Sequence, residues 1–102
     1  MTTRIPARPA LTAQQFDLIA KALADPRRMA LLEAIAAKDE CPCVLLRQQF
    51  PVSKATISHH IKELTRAGLV ADHRDGQFLN CEVRRETLEA YTAELLRRAG
   101  GN

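Results

Sequence analysis

Apolar residues recur along this chain with a helical period and change once to strict alternation. Phe16, Ile19, Ala20 and Leu23 follow the i, i+3, i+4, i+7 spacing of one helix stripe, which predicts a helix over 13–24. Thr12 with Gln15 fits a capping box, and Leu11 with Phe16 fits the accompanying hydrophobic staple. Asp25-Pro26 ends that helix and starts another, because Asp suits an N-cap and Pro the first helical position. This second helix spans 26–37 and carries Met29, Leu31, Leu32 and Ile35. Lys38, Asp39 and Glu40 form a polar loop, after which Pro42 opens a third helix over 42–50 with Val44, Leu45 and Leu46. Pro51-Val52 breaks the chain. Ser53 then caps a fourth helix that runs to 67, carries Ile57, Ile61 and Leu64 on one stripe, and stops at Gly68.

Beyond Gly68 the period changes. Leu69-Val70-Ala71 begins a strand, and Asp75-Gly76 is a hairpin turn signal. The returning strand, 77–83, sets Leu79, Cys81 and Val83 on one face and Phe78, Asn80 and Glu82 on the other. A last helix over 85–98 carries Leu88, Tyr91, Leu95 and Leu96. Two helices joined by a short break, the second capped by Ser, make a helix-turn-helix, and a hairpin directly after it makes a wing. The expected fold is therefore mainly α with a small β-hairpin: five helices plus a two-stranded wing. Residues 11–99 form one domain, preceded by a flexible basic tail at 1–10 with Arg4, Pro6, Arg8 and Pro9 and followed by a frayed end at 100–102.

Composition narrows the picture. A chain of 102 residues is one domain's worth, and 46% hydrophobic with 26% charged residues is globular rather than disordered. Aromatics are only 4%, so Leu, Ile, Val and Ala must build the core, which a second copy would enlarge. The net charge of +3 permits a polyanionic partner without requiring one. No apolar run approaches a membrane span and no signal-peptide apolar region is evident, so the three cysteines are read as reduced thiols in a cytoplasmic protein.

The fourth helix carries the candidate chemistry. With Ile57, Ile61 and Leu64 turned to the core, Ser53, Lys54, Ala55, Thr56, Ser58, His59 and Lys62 remain outside, crowded toward the N-terminal half. Short side chains let a helix approach a major groove closely, while Ser, Thr and Lys bond phosphates and base edges. In the wing, Arg74 and Gln77 flank the turn, and Arg74 suits a minor groove or a phosphate. A solvated helix face that binds nothing is the plainer reading of the same composition.

The run from Ala22 to Val83 resembles the ArsR/SmtB family of bacterial repressors. The matching residues are Leu23-Ala24-Asp25-Pro26-Arg27-Arg28 with Leu31-Leu32, then the segment 52–64, then Ala67-Gly68-Leu69-Val70 and Arg74-Asp75-Gly76. The resemblance implies a homodimer on a pseudo-palindromic DNA operator, with repression relieved by an inducer. It also implies that the first and last helices form the dimer interface, here through Phe16, Ile19, Leu23, Leu88, Tyr91 and Leu95. The apolar stripes of those helices, which have little else to cover them, agree with this.

Members of that family sense metal ions, arsenic or oxidants through thiols, and some have no known inducer. Cys41 and Cys43 are the leading sensor candidates, since closely spaced thiols suit a soft metal or an arsenite-like ligand. The family's arsenic and cadmium motif follows its Cys-x-Cys with Asp-Leu. Here the pair falls one position earlier counted from Ser53, Val44 stands where the second thiol would be, and the Asp is missing. In winged helices the segment before the third helix often pairs with the returning wing strand, which would bring Cys41 or Cys43 near Cys81. Three thiols would then bind an arsenite-like species, or two would oxidise to a disulfide. Cys81 also reads as a small core residue, sharing a face with Leu79 and Val83. The last helix lacks His, which disfavours a zinc site there. No paired carboxylates or activated nucleophile point to an enzyme. The alternatives are the same repressor with a non-thiol inducer or none, and a winged helix used for protein association.

Overall fold

The computed structural model describes residues 11–101. The expected tail at 1–10 lies outside them, as does Asn102. Helix α1 spans Ala13–Leu23 and begins where the Thr12 hydroxyl accepts the Gln15 N–H at 3.0 Å. Helix α2, Pro26–Ala36, begins where the Asp25 carboxylate accepts the Arg27 N–H at 2.8 Å. Arg28 ties the two together: its guanidinium donates to the Ala22 and Lys21 carbonyls at the end of α1. The structure thus has both caps that the sequence predicts.

The next stretch departs from expectation. Cys41–Pro42 forms a two-residue strand, β1, and α3 is confined to Cys43–Gln49. Pro42 stands at the N-cap with extended backbone instead of opening the helix. The reason is a sheet partner far along the chain. Cys41 and Pro42 pair antiparallel with Cys81 and Asn80 of β3, Phe78–Val83, which also pairs with β2, Val70–Asp75. The sheet therefore has three strands in the order β1-β3-β2, the expected two-stranded wing joined by the segment before α3.

Helix α4, Lys54–Arg66, and helix α5, Arg85–Arg98, complete the fold. Both end in the same way. Gly68 and Gly100 adopt φ +81° and +94°, and the N–H groups of Leu69 and Gly101 return to the Leu64 and Leu96 carbonyls. These are Schellman closures, which need a left-handed residue at the glycine. Gly100 and Gly101 thus close α5 in place of the frayed end that the sequence suggests. The wing turn places Gly76, at φ +65°, and Gln77 between the paired residues Asp75 and Phe78. Glycine first in a two-residue loop is the type II′ arrangement, so the turn sits one position later than Asp75-Gly76 implies.

One core unites the elements. Ile19 and Ala22 from α1, Leu31, Leu32 and Ile35 from α2, Leu46 from α3 and Ile57, Ile61 and Leu64 from α4 pack with Leu69, Val70 and the three cysteines. Asn80 is buried although it was expected on the outer face of its strand. It pairs with Pro42, and its amide donates to Glu40 at 3.3 Å. No helix among the described residues is long and apolar enough to cross a membrane.

Candidate nucleic-acid interface

Helix α4 owes its exposure pattern to its capping and its apolar stripe. Ser53 Oγ accepts the Thr56 N–H at 3.1 Å and lies 2.9 Å from Thr56 Oγ1, so the two hydroxyls fix the first turn. Ile57, His60, Ile61 and Leu64 are buried, which turns Lys54, Ala55, Ser58, His59 and Lys62 outward. Thr56 is half-buried beneath its cap. Among the described residues neither Lys54 nor Lys62 joins an ion pair, whereas Arg66 is held by Glu63 at 3.3 Å. The two lysines therefore keep their charge available to an external anion. At the wing, Arg74 and Gln77 are both exposed, and His73 is drawn to Glu40 at 3.3 Å.

Of the thiol convergences that the sequence leaves open, the structure has one. Cys43 Sγ lies 3.1 Å from Cys81 Sγ, while the Cys41 sulfur lies against the Pro42 carbonyl at 3.8 Å. The sulfur contact thus joins Cys43 to Cys81 rather than to Cys41. All three cysteines are free and buried. The contact between the two sulfurs pushes Cys81 up and holds Cys43 below an ordinary thiol value; burial and Asp72 push Cys43 the other way. Burial raises Cys41. Among the described residues no three His, Cys, Asp or Glu side chains gather as a metal site.

Between α3, α4 and the sheet lies a cavity of about 430 Å³. Cys43, Ile57, Ile61 and Leu79 give it an apolar wall, and Arg47, Lys62 and Arg66 a cationic one. Arg47 and Arg66 carried no signal in the sequence, since their convergence depends on how α3 crosses α4.

The residues expected at a dimer interface divide. Ile19 is fully buried within its own chain and has no surface to offer a second copy. Phe16 is largely covered too: its ring packs on Tyr91 at 4.9 Å, with the Arg98 guanidinium 3.8 Å above it. Leu23, Leu88 and Tyr91 are half-buried. Leu95 is exposed, and so is Leu96, which the expected interface set left out.

A helix-turn-helix domain profile matches residues 23–73. The chain is 30% identical over 79 residues to the arsenical resistance operon repressor of Staphylococcus xylosus, covering 78% of this chain and 75% of that one. The chain belongs to the ArsR/SmtB family of winged-helix regulators. The transcriptional repressor SdpR of Bacillus subtilis is 37% identical over 59 residues, 58% of this chain and 64% of that protein. Among solved structures, an ArsR-like transcriptional regulator from Rhodococcus sp. RHA1 superposes with a TM-score of 0.74 at 25% identity, over 85% of this chain and 80% of that one. In this ArsR/SmtB chain, α3 and α4 form the helix-turn-helix and β2 and β3 form the wing.

Proposed function

We propose that this chain is a DNA-binding transcriptional repressor, acting in the cytoplasm as a homodimer on a pseudo-palindromic operator and released by an inducer at its thiols. The observation that carries the reading is the outer face of α4. It holds small and basic side chains, two of them lysines in no ion pair among the described residues, on a helix whose other face is locked into the core. Ser53, Lys54, Ala55, Thr56, Ser58, His59 and Lys62 would meet a major groove, and Arg74 and Gln77 the flanking backbone or minor groove. The repressors among its relatives support the same direction of control.

The arsenical relative raises a soft ion as inducer. The donor set does not fit one, because only two sulfurs meet and Cys41 faces a carbonyl. The test is fluorescence anisotropy with a duplex from the region upstream of the chain's own gene. Salt-dependent binding to it, at least tenfold tighter than to a scrambled duplex, supports the repressor. Arsenite, cadmium, zinc and peroxide are then added in turn. Equal affinity for both duplexes refutes sequence-specific repression, and tight binding unmoved by every agent refutes the thiol inducer.

A further inference from the structure

We propose that the cavity between α3, α4 and the sheet is a binding site for a medium-chain aliphatic carboxylate, and that its occupant weakens the hold of α4 on DNA. The site stands on the cavity alone; only its effect on DNA rests on the repressor reading.

Size and wall chemistry come first. At about 430 Å³ the cavity falls in the range of roughly 300–1,000 Å³ that small-molecule sites occupy. Ile57, Ile61 and Leu79 make an aliphatic wall, and no aromatic ring lines it among the described residues. A hydrocarbon chain laid against that wall removes apolar surface from water on both sides.

The head group follows from Arg47. It is half-buried on α3 and enters no ion pair or hydrogen bond among the described residues. A guanidinium drawn out of water without a partner costs free energy that a bound carboxylate recovers, and its planar fork holds a carboxylate through two hydrogen bonds. Lys62, in no ion pair among the described residues, brings an ammonium to the same cavity from α4, and Ser58 adds a hydroxyl one turn before it. Arg66 is committed to Glu63. Among the described residues Asp72 is the one carboxylate on the wall, so positive charge prevails even with Arg66 left out.

The link to DNA runs through shared residues. Ser58 and Lys62 belong both to the cavity and to the outer face of α4. A carboxylate drawn to Lys62 neutralises a charge that otherwise meets a phosphate, and it sets a negative charge beside the duplex. The duplex must then weaken the carboxylate by the same factor as the carboxylate weakens the duplex. Cys43 adds only surface to the wall, so no thiol chemistry takes part.

The test uses the full chain, its thiols kept reduced, and octanoate. Isothermal titration calorimetry should show saturable binding at one site per chain. Acetate, which has the head without the chain, and octanol, which has the chain without the charge, should each bind at least tenfold more weakly. Arg47→Ala removes the charge and Leu79→Phe fills the cavity; each should weaken octanoate at least tenfold, with far-UV circular dichroism checking that they fold. In the wild type, methyl resonances of Ile57, Ile61 and Leu79 should shift on titration, a readout that needs no variant. Acetate or octanol binding as tightly as octanoate overturns the amphipathic ligand. Shifts confined to Leu95 and Leu96, or an affinity that neither folded variant moves, overturn the site. In parallel, saturating octanoate should lower the affinity for the upstream duplex at least tenfold, against acetate at equal ionic strength. Bound octanoate with undiminished duplex affinity overturns the link to DNA. If the chain prefers no duplex, the repressor reading fails, while calorimetry and the methyl shifts still decide the site.

Discussion

His60 shows how one side chain couples α4 to acidity. It is 5% exposed, and neither ring nitrogen has a hydrogen-bond partner among the described residues. Burial holds its pKa below the ordinary 6.5; Asp25 pulls it upward, while Arg28, Arg27 and His59 push it further down. The folded chain therefore disfavours the proton that the unfolded chain accepts. Stability is fully present above about pH 6.5 and is lost as pH falls below it. Asp25, held at about 2 chiefly by its hydrogen bonds to Arg27, stays ionised through this window. The urea midpoint of the wild type should fall between about pH 7 and pH 5.5, and His60→Phe should remove part of that fall. An equal fall in both proteins would assign the effect elsewhere. Gly68 gives a second residue-scale expectation. Its φ of +81° makes Gly68→Ala costly, by about 1–2 kcal/mol from the backbone, while the Gln15 side-chain amide 2.9 Å from an added Cβ can swing aside. Equilibrium urea unfolding measures it. Gly68 was legible in sequence as a helix stop, because the left-handed conformation is a local demand. The Cys43–Cys81 contact was legible only as one of several convergences, because which thiols meet depends on pairing between residues far apart.

Among the elements, the helices with apolar stripes and local caps were the legible part. Thr12, Asp25 and Ser53 each accept the N–H that capping rules assign to them, so α1, α2 and α4 start where expected. Replacing Thr12 with Ala should cost about 1 kcal/mol, read from the urea midpoint. Strand β1 has no period of its own in two residues and is a strand only through Asn80 and Cys81, so its pairing was legible from what winged helices often do and not from its residues. The cavity under α4 was hidden, since α3, α4 and the sheet each supply part of its wall. For α4 itself, Lys62 offers a quantitative check. If it neutralises a phosphate, Lys62→Ala should weaken binding to specific and scrambled duplexes alike and lower the salt slope by about 1. A changed sequence preference with an unchanged slope would make Lys62 a base contact instead.

At the scale of the whole molecule, the subunit leaves a surface that one chain does not cover. Its radius of gyration is 15.1 Å, larger than the roughly 13 Å of a compact domain of this length. Helix α5 adds little to the core: Ala90 is its one buried residue, and Leu95 and Leu96 are 46% and 54% exposed. Near them Glu94 is held at about 2 by its hydrogen bonds to Arg97 and Arg98, which fixes both guanidinium groups beside the leucines. An apolar pair rimmed by ordered charges suits a two-fold contact, where each copy meets the same surface on the other. The expected particle in sedimentation equilibrium has twice the 11.4 kDa chain mass. Changing Leu95 and Leu96 together to Glu should yield a monomer with an unaltered circular dichroism spectrum, because neither side chain belongs to the subunit core. If two α4 helices grip two half-sites, that monomer should also lose on the order of 10² in operator affinity, as the second half-site ceases to be an intramolecular partner. A wild-type monomer at micromolar concentration, or a double variant that still pairs, would place the dimer contact away from α5 or remove it altogether.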